Sequence, residues 1–295
     1  MAVGRAGAGR ATDRLFALYM LVSGVALAFP HRGAAWPILL AVHVGAAAFA
    51  LRLPPFGRIA QALRARWPRA ASIAGDWYPL ALVPLLYAEL VPLNLAVWGA
   101  RYFDPVIQGV EAALFGGQPS RALAAAAPWL PLSEALHGAY LSYYFVIYGP
   151  PLILFLQGRR EEFRQVVFGV MLVFFAHYLF FIYFPVQGPR YVFPAPDGPI
   201  AAGPLYKLAH AVLEAGSSQG AAFPSSHVGV AFAQTALAVR FLPRLAPWLA
   251  VLSAGLAVGA VYGGFHYATD AIAGLLLGLL VVGMAPAAAR LASRG

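Results

Sequence analysis

Long apolar segments are the feature that most limits what this chain can fold into. They are about 17–25 residues long, the length at which an α-helix spans the hydrocarbon core of a bilayer. Apolar residues make up 61% of the chain and charged residues 11%, and most of the charges lie between the apolar segments. The sequence therefore predicts an all-α, polytopic membrane helix bundle. We expect about eight transmembrane helices, near residues 13–30, 34–52, 77–99, 133–157, 164–185, 224–242, 246–264 and 267–287.

The basic residues between these segments indicate the orientation of the chain. Fifteen of the 20 fall on one side: Arg5, Arg10, Arg14, Arg52, Arg58, Arg64, Arg66, Arg69, Arg159, Arg160, Arg164, Arg240, Arg244, Arg290 and Arg294. The other side has Arg32, Arg101, Arg121, Arg190 and Lys207. Because cytoplasmic loops carry the excess of arginine and lysine, we expect both termini in the cytoplasm and the links 100–132 and 186–223 outside.

The same distribution bears on the function class and the domain organisation. The net charge of +9 does not predict nucleic-acid binding, because the basic residues do not line one helix face. The chain has no cysteine, which excludes disulfides and thiolate metal sites. The basic amino terminus is not followed by a convincing signal-peptide cleavage site, so we expect the first apolar segment to be retained. We divide the chain into residues 1–76, with two helices and a basic cytoplasmic loop, and residues 77–295, the catalytic core.

The two outward links also contain helical patterns. Residues 105–116 carry apolar side chains at helical spacing after Pro105, which predicts an interfacial or re-entrant helix. The link 186–223 begins with a Pro/Gly-rich stretch and continues into a short amphipathic segment. We expect this link to cover a site on the outer side of the membrane.

Pro224, Ser225, Ser226 and His227 stand directly before an apolar segment. A proline and two serines at this place indicate a helix N-terminus. Its free N–H groups and dipole attract anions. A capped helix end with an interfacial histidine is the simpler alternative for this motif alone.

A second motif joins the last two apolar segments. His266 and Asp270 are four residues apart, so on a helix they share one face. A carboxylate that holds one imidazole nitrogen leaves the other basic and oriented. The alternative is a structural ion pair. The charge pattern places this pair, His227 and Arg190 on the outer side. The Arg190 guanidinium suits a phosphate there. The alternative is that it contacts lipid headgroups.

Together, PSSH and HYATD resemble the PSGH and HxxxD signatures of the type 2 phosphatidic acid phosphatase superfamily. The resemblance covers about residues 77–287 and implies a six-helix core. It implies that His266 attacks phosphorus and forms a phosphohistidine, that Asp270 orients His266, and that His227 protonates the leaving alcohol. Ser225 and the Ser226 amide would bind phosphate oxygens, and neither metal nor cofactor is needed.

The chain departs from that family pattern at its cationic positions. Ser226 replaces the glycine of PSGH, and Gly259 and Ala260 stand where a Ser-Arg pair is usual. Tyr183 occupies the position of the family lysine if Arg190 is the family arginine. These departures point towards a subgroup. The chain is similar to bacterial relatives of inositol phosphorylceramide synthase in the stretches DPVIQGVEAALFGGQPS, EALHGAYLSYY and FPVQGPR. That subgroup transfers a phospho-headgroup to a lipid alcohol, and it implies a bacterial inner-membrane location.

Several other polar residues lie within or near the apolar segments. Glu134 and His137 lie three apart on one helix face near the outer side, and we expect them to line the substrate pocket. For Glu89 a buried partner is the favoured interpretation, with Asn94, Tyr87 or a histidine as candidates, and His177 is interpreted as a hydrogen-bonded core residue. We expect no more than a structural or surface role for His43 and His210.

The sequence thus favours a lipid phosphoryl or phospho-headgroup transferase acting at the outer leaflet. Its partners would be a phospholipid donor, a lipid or polyol acceptor and the bilayer itself. A lipid phosphate phosphatase with the same residues is the first alternative. A lipid transporter is disfavoured because the polar residues gather at one face and not at the midplane. A non-catalytic lipid-binding scaffold stays open because two expected cationic ligands are missing.

Overall fold

The structure is a computed structural model that describes residues 7–294, so Arg5 of the basic set lies outside the described residues. Within that range the chain forms α-helices, two short 3₁₀ turns and no strand. The helices are α1 (Gly7–Gly24), α2 (Trp36–Ala50), α3 (Phe56–Arg66), α4 (Pro68–Ala88), α5 (Leu90–Trp98), α6 (Asp104–Phe115), α7 (Pro119–Ala126), α8 (Leu130–Leu141), α9 (Tyr143–Leu156), α10 (Arg160–Tyr183), α11 (Pro189–Val192), α12 (Pro204–Gly216), α13 (Ser226–Phe241), α14 (Ala246–Tyr262) and α15 (Ala268–Arg294). The all-α prediction is confirmed.

Apolar helices long enough to cross a bilayer occur at three places in the described residues: Gly9–Ala28, Arg160–Tyr183 and Ala268–Ser293. The number rises to five if the bent pairs α4–α5 and α8–α9 each form one span. Helices α2 and α14 are apolar but shorter. The eight predicted segments all fall on helices, but length and composition do not establish a count of eight, which stays a prediction together with the six-helix core.

The two bends have local causes. Pro92 lacks an N–H and its ring crowds the carbonyl of Ala88, which explains the 44° break between α4 and α5. Between α8 and α9 the axis turns by 42°. There the Ser142 hydroxyl donates to the Ala139 carbonyl at 2.6 Å, a contact that bends helices.

Helices α10, α13 and α15 pack against one another at the centre of the bundle, and α1 packs against α10 and α15. Small residues allow these axes to approach closely, as is usual for helices packed within a membrane. A Cβ added at Gly278 of α15 would lie 2.3 Å from the Gly229 carbonyl oxygen of α13. The aromatic side chains of α10, among them Phe163, Phe174, Tyr178 and Phe181, fill the surrounding core.

Polar side chains inside this core are paired as the sequence predicts. Glu89 lies at the α4–α5 bend, and its carboxylate is 3.3 Å from Nδ1 of the buried His43 on α2. His177 is fully buried, and its Nδ1 lies 2.8 Å from the Val173 carbonyl oxygen. The buried partner of Glu89 is therefore a histidine, and the interpretation of His177 as a hydrogen-bonded core residue is confirmed.

Candidate active site

Helix α13 begins at the serine motif. The Ser225 hydroxyl accepts a hydrogen bond from the Val228 amide at 3.4 Å, which makes Ser225 the N-cap. The Ser225 amide in turn donates to the Asp270 carbonyl at 2.9 Å. Gly274 permits this contact with α15, because a Cβ there would lie 2.2 Å from the Ser225 carbonyl oxygen. The two sequence motifs are thus joined backbone to backbone.

His266 and Asp270 are in contact, but not as two positions on one helix face. His266 precedes α15, whereas Asp270 lies in its first turn, so the prediction of a shared helix face is wrong. The carboxylate instead reaches back toward the preceding link: its Oδ2 accepts from the Tyr267 amide at 2.8 Å and lies 3.4 Å from His266 Nδ1. A side chain in the first turn of a helix can make such a contact because the first N–H groups have no helical partner.

The surroundings of His266 determine which nitrogen carries the proton. Its Nδ1 faces two acceptors, the Asp270 carboxylate at 3.4 Å and the Ala222 carbonyl oxygen at 3.1 Å. Two acceptors at one nitrogen favour a proton on that nitrogen. Nε2 then keeps its lone pair, the state that a nucleophilic imidazole requires.

His227 lies across the pocket from His266, with 5.6 Å between the ring centroids. Two aromatic rings hold it there: Tyr143 at 4.3 Å and Tyr140 at 5.3 Å between centroids. The Tyr140 hydroxyl is 3.4 Å from His227 Nε2, while Nδ1 is buried without a hydrogen-bond partner. The imidazole is therefore fixed in place and still has hydrogen-bonding capacity for a substrate.

Arg190 provides the positive charge beside the two histidines. It lines the same small cavity, of about 30 Å³, as His227 and His266. Its Nη1 is buried and has no hydrogen-bond partner. A buried guanidinium nitrogen without an acceptor is costly, and an anionic oxygen in the cavity would satisfy it. Leu213, Ser217 and Ser218 also line the cavity, so the end of α12 and the residues that follow it form part of its wall.

Asp104, which the sequence analysis did not single out, holds the loop that carries Arg190. The carboxylate of this buried residue accepts from the amides of Gln187 and Gly188, each at 2.9 Å, and from the Tyr267 hydroxyl at 3.1 Å. One side chain therefore connects the loop before Arg190 with the residue that follows His266. The proline after Asp104 and the predicted helix at 105–116 were the only sequence signals for it.

Glu111 lies on the same helix as Asp104, further along α6, and it binds the start of α15. One carboxylate oxygen accepts from the Thr269 amide at 3.0 Å and from the Thr269 hydroxyl at 3.3 Å. Burial raises the pKa of this carboxyl, and the hydrogen bonds from Thr269 oppose that shift. Helix α6 thus fixes both the arginine loop and the residue next to Asp270.

Asp104→Ala is expected to disturb the site through the arginine loop. Two amides and one hydroxyl would lose their acceptor, which should lower the free energy of unfolding by about 2 kcal/mol or more. A displacement of Arg190 by about 1 Å should also lower kcat/KM by about 10–100-fold. Thermal unfolding measures the first effect, and turnover of an aryl phosphoester, the activity that the sequence resemblance implies, measures the second. Glu214→Ala on the exposed face of α12 is the control. Wild-type kcat/KM in Asp104→Ala would remove Asp104 from this role.

Four predicted substrate-binding residues lie elsewhere than in the small cavity. Ser225 and Ser226 are buried at the start of α13, with the Ser225 hydroxyl engaged by Val228. Glu134 accepts from the amides of Leu205 and Tyr206 at 3.0 and 3.1 Å, so it caps α12 and does not face the histidines. His137 is fully buried, and its Nδ1 lies 2.7 Å from the Ser133 carbonyl oxygen. Only Arg190, of the residues predicted to bind substrate, lines that cavity.

The structure accounts for Gly259 among the departures from the usual cationic pattern and shows the contacts of Ala260 and Tyr183. A Cβ at Gly259 would lie 2.4 Å from the Leu136 carbonyl oxygen, so no larger side chain fits. The Ala260 carbonyl accepts from the amides of Phe265 and His266, each at 3.0 Å. Tyr183 points to α1, where its hydroxyl donates to the Val22 carbonyl at 3.1 Å, so it does not replace a lysine at the site. Within the described part of the chain, Arg190 is the one arginine or lysine that lines the cavity.

A protein-family model matches the chain. No curated protein and no solved structure matches the chain. The model of the PAP2 superfamily matches residues 107–284, which is more than half of the chain and includes α13, α14, both histidine motifs and Arg190. This span also includes Glu111 but begins just after Asp104. The protein belongs to the PAP2 superfamily.

Proposed function

We propose that this integral membrane protein transfers a phosphoryl or phospho-headgroup unit from a membrane phospholipid to an alcohol through a phosphohistidine at His266. The observation that supports this most strongly is one cavity lined by His266, His227 and Arg190, whose buried Nη1 has no hydrogen-bond partner. Membership of the PAP2 superfamily supports a phosphatase or phosphotransferase acting on lipids. Phosphoryl transfer without a metal is proposed from the chemistry of these side chains, and an alcohol as the acceptor is proposed from the resemblance to the headgroup-transferring subgroup.

In the first half-reaction, Nε2 of His266 attacks phosphorus and the bond from phosphorus to the leaving oxygen breaks. The protonated His227 gives its proton to that oxygen, which leaves as an alcohol. Arg190 holds the non-bridging oxygens, where charge is concentrated. Asp270 stabilises the positive charge on His266 as the phosphorus–nitrogen bond forms.

In the second half-reaction, an acceptor hydroxyl attacks the phosphohistidine. His227, now neutral, takes the proton of the hydroxyl, and the phosphorus–nitrogen bond breaks to restore His266. A lipid or polyol alcohol as acceptor makes the protein a transferase, and water makes it a phosphatase. The resemblance to relatives of inositol phosphorylceramide synthase favours transfer to a lipid alcohol.

An acceptor competition tests the transferase proposal. Purified protein would be given a phospholipid donor with diacylglycerol, ceramide or a polyol as the acceptor, and the products would be identified by mass spectrometry. We expect a phospho-headgroup product whose amount rises with the acceptor while release to water falls. Release of free phosphate from a phosphomonoester, unaffected by every acceptor, would instead establish the phosphatase. If the protein turns over none of the donors, the non-catalytic lipid-binding scaffold is the remaining interpretation.

The proposal places the active site on the outer face of the membrane, with both termini in the cytoplasm. Since the natural chain has no cysteine, single cysteines at Arg66 and Lys207 give an unambiguous test. In intact cells an impermeant thiol reagent should label the cysteine at residue 207 and leave the one at residue 66 unlabelled until the membrane is opened. Equal labelling of both in intact cells would contradict the orientation.

A further inference from the structure

A separate cavity lies toward the end of the bundle away from the two histidines. Its volume is about 420 Å³, and it is enclosed by α10, α13 and α15. Helix α13 begins next to His227 and α15 begins next to His266, whereas the cavity is lined by the far parts of both helices. From His227 to Arg240 at its wall, α13 rises by about 20 Å. The cavity is therefore distinct from the candidate active site.

The wall of this cavity is largely apolar. A Cβ added at Gly169 of α10 would lie 3.2 Å from Leu237 of α13 and 3.7 Å from Val282 of α15, so the three helices are in close contact there. Leu237 and Val282 also line the cavity. On the α15 side, a Cβ added at Gly283 would meet no atom within 4 Å, which leaves open space. Leu279 at the wall is exposed, so the cavity opens onto the outer surface of the bundle.

Two arginines, Arg240 and Arg290, give the cavity a positive charge. Both line it, and both are exposed. In contrast to Arg160 and Arg164, which each bind the Asp76 carboxylate at 2.9 Å, neither has an ion pair within residues 7–294. No aspartate or glutamate of these residues lines the cavity. The two guanidinium groups can therefore bind an anion that enters from outside the bundle.

The Arg240 side chain is in contact with an aromatic ring. Its guanidinium carbon lies 4.9 Å from the centroid of the Phe241 ring, which also lines the cavity. A guanidinium packed in this way keeps its N–H groups for acceptors, and its fork matches the oxygens of a phosphate. Since Arg290 lines the same cavity, one phosphate there can be attracted by both residues.

The apolar wall and the two arginines together limit the kind of ligand. The preference of arginine for the cytoplasmic side accounts for arginines at this end of the bundle, but not for two of them lining one apolar cavity. A small soluble anion would leave the apolar wall unfilled. A zwitterionic lipid would bring its own cation to two guanidinium groups. An anionic phospholipid matches both parts, because it has an acyl chain and a net negative headgroup.

We propose that this cavity binds one anionic phospholipid of the leaflet on the far side from the histidines. Its phosphate would lie at Arg240 and Arg290, and an acyl chain would follow Leu237 and Leu279. The volume is in the range of small-molecule sites. None of these residues takes part in the proposed reaction, so this inference goes beyond the proposed function and does not depend on it.

Native mass spectrometry of the delipidated full-length protein tests the site. The probes are phosphatidylglycerol, which is anionic, and phosphatidylcholine with the same acyl chains, which is zwitterionic. We expect one phosphatidylglycerol to bind at least about 10-fold more tightly than phosphatidylcholine, because two arginines favour the net negative headgroup. Arg240→Gln and Arg290→Gln should each reduce this ratio about 3–5-fold. Arg58→Gln and Arg69→Gln, which remove the same charge at exposed positions outside the cavity, should leave it unchanged.

Gly283→Leu tests the cavity without removing a charge. The added side chain has room at this position and would occupy the space along α15. We expect it to weaken phosphatidylglycerol binding about 10-fold, although both arginines are present. The matched control is Gly45→Leu on α2, where a Cβ also meets no atom within 4 Å, and it should bind like wild type. Melting temperatures would confirm that the variants fold.

Three results would overturn the proposal. The first is equal binding of the two lipids, and the second is an equal loss in the control arginine variants, which would indicate surface charge alone. The third is phosphatidylglycerol binding that none of the cavity variants changes, which would place the lipid elsewhere, for example at the histidines. The same spectra report the oligomeric state. A dimer that is lost in Gly283→Leu would assign the cavity to a second copy of the chain and would also overturn the proposal.

Discussion

His266→Ala is expected to lower kcat by at least about 10³-fold, on a lipid phosphoester and on an activated aryl phosphoester alike. The attacking nitrogen is needed whatever the leaving group, so both substrates lose turnover to a similar degree. Asp270→Asn should be slower than wild type by about 10²-fold, because the amide no longer stabilises the proton on Nδ1 or the charge on the ring. The binding of inorganic phosphate should change little, since Arg190 is untouched.

Initial rates of the purified variants measure this effect on both substrates. The matched control is His31→Ala, which changes an exposed histidine far from His266 in the sequence and should retain wild-type rates. Near-normal rates in His266→Ala on both substrates would remove His266 as the nucleophile. Equal losses in Asp270→Asn and His266→Ala would make Asp270 indispensable and not only an orienting group.

His227→Ala is expected to have an effect that depends on the leaving group. A lipid alkoxide needs a proton as it departs, so the variant should lose about 10²–10⁴-fold in kcat on a lipid substrate. An aryl oxide leaves without a proton, so formation of the phosphohistidine from the aryl ester should be much less affected. The alanine substitution also removes the ring that packs against Tyr140 and Tyr143. His227→Phe would partly restore this packing.

A series of aryl phosphoesters with leaving groups of increasing basicity measures this dependence. The slope of log kcat/KM, which reports formation of the phosphohistidine, against leaving-group basicity should be steeper in His227→Ala and in His227→Phe than in wild type. An identical slope in all three proteins would show that His227 does not protonate the leaving group, whatever the absolute rates.

The sequence predicted those parts of the fold that depend on local patterns. Apolar segments long enough to span a bilayer as helices predicted the all-α bundle. Pro224 with Ser225 predicted the start of α13. The charge alternation placed His227 and His266 on one side, and they do lie 5.6 Å apart between ring centroids. Each of these inferences needed only spacing, residue type or the physics of the bilayer.

The remaining features depend on contacts between residues that are far apart in sequence. Asp104 and Glu111 bind amides at positions 187, 188 and 269, and no local pattern marks which backbone groups they meet. Glu134 was expected in the pocket because it shares a face with His137. Its actual place, at the N-terminus of α12, depends on how that helix packs on α8.

The position of His210 depends on packing in the same way. Its sequence neighbours predict only a short amphipathic helix. The structure shows its ring stacked on Tyr206 at 4.1 Å between centroids, on a helix that packs against α8. The pairing of His266 with Asp270 was predicted from a helical spacing of four residues, although the chain achieves it across a helix start.

Detection of the covalent intermediate tests the central claim most directly. His227→Ala should form the phosphohistidine from an aryl phosphoester and then lack the base for its transfer, so the phosphoenzyme should accumulate. Rapid acid-free quenching and peptide mass spectrometry should find the phosphoryl group on His266 in His227→Ala, less of it in wild type, and none in His266→Ala. A phosphoryl group on any other residue, or turnover of the aryl ester with no covalent species in either active protein, would contradict the account.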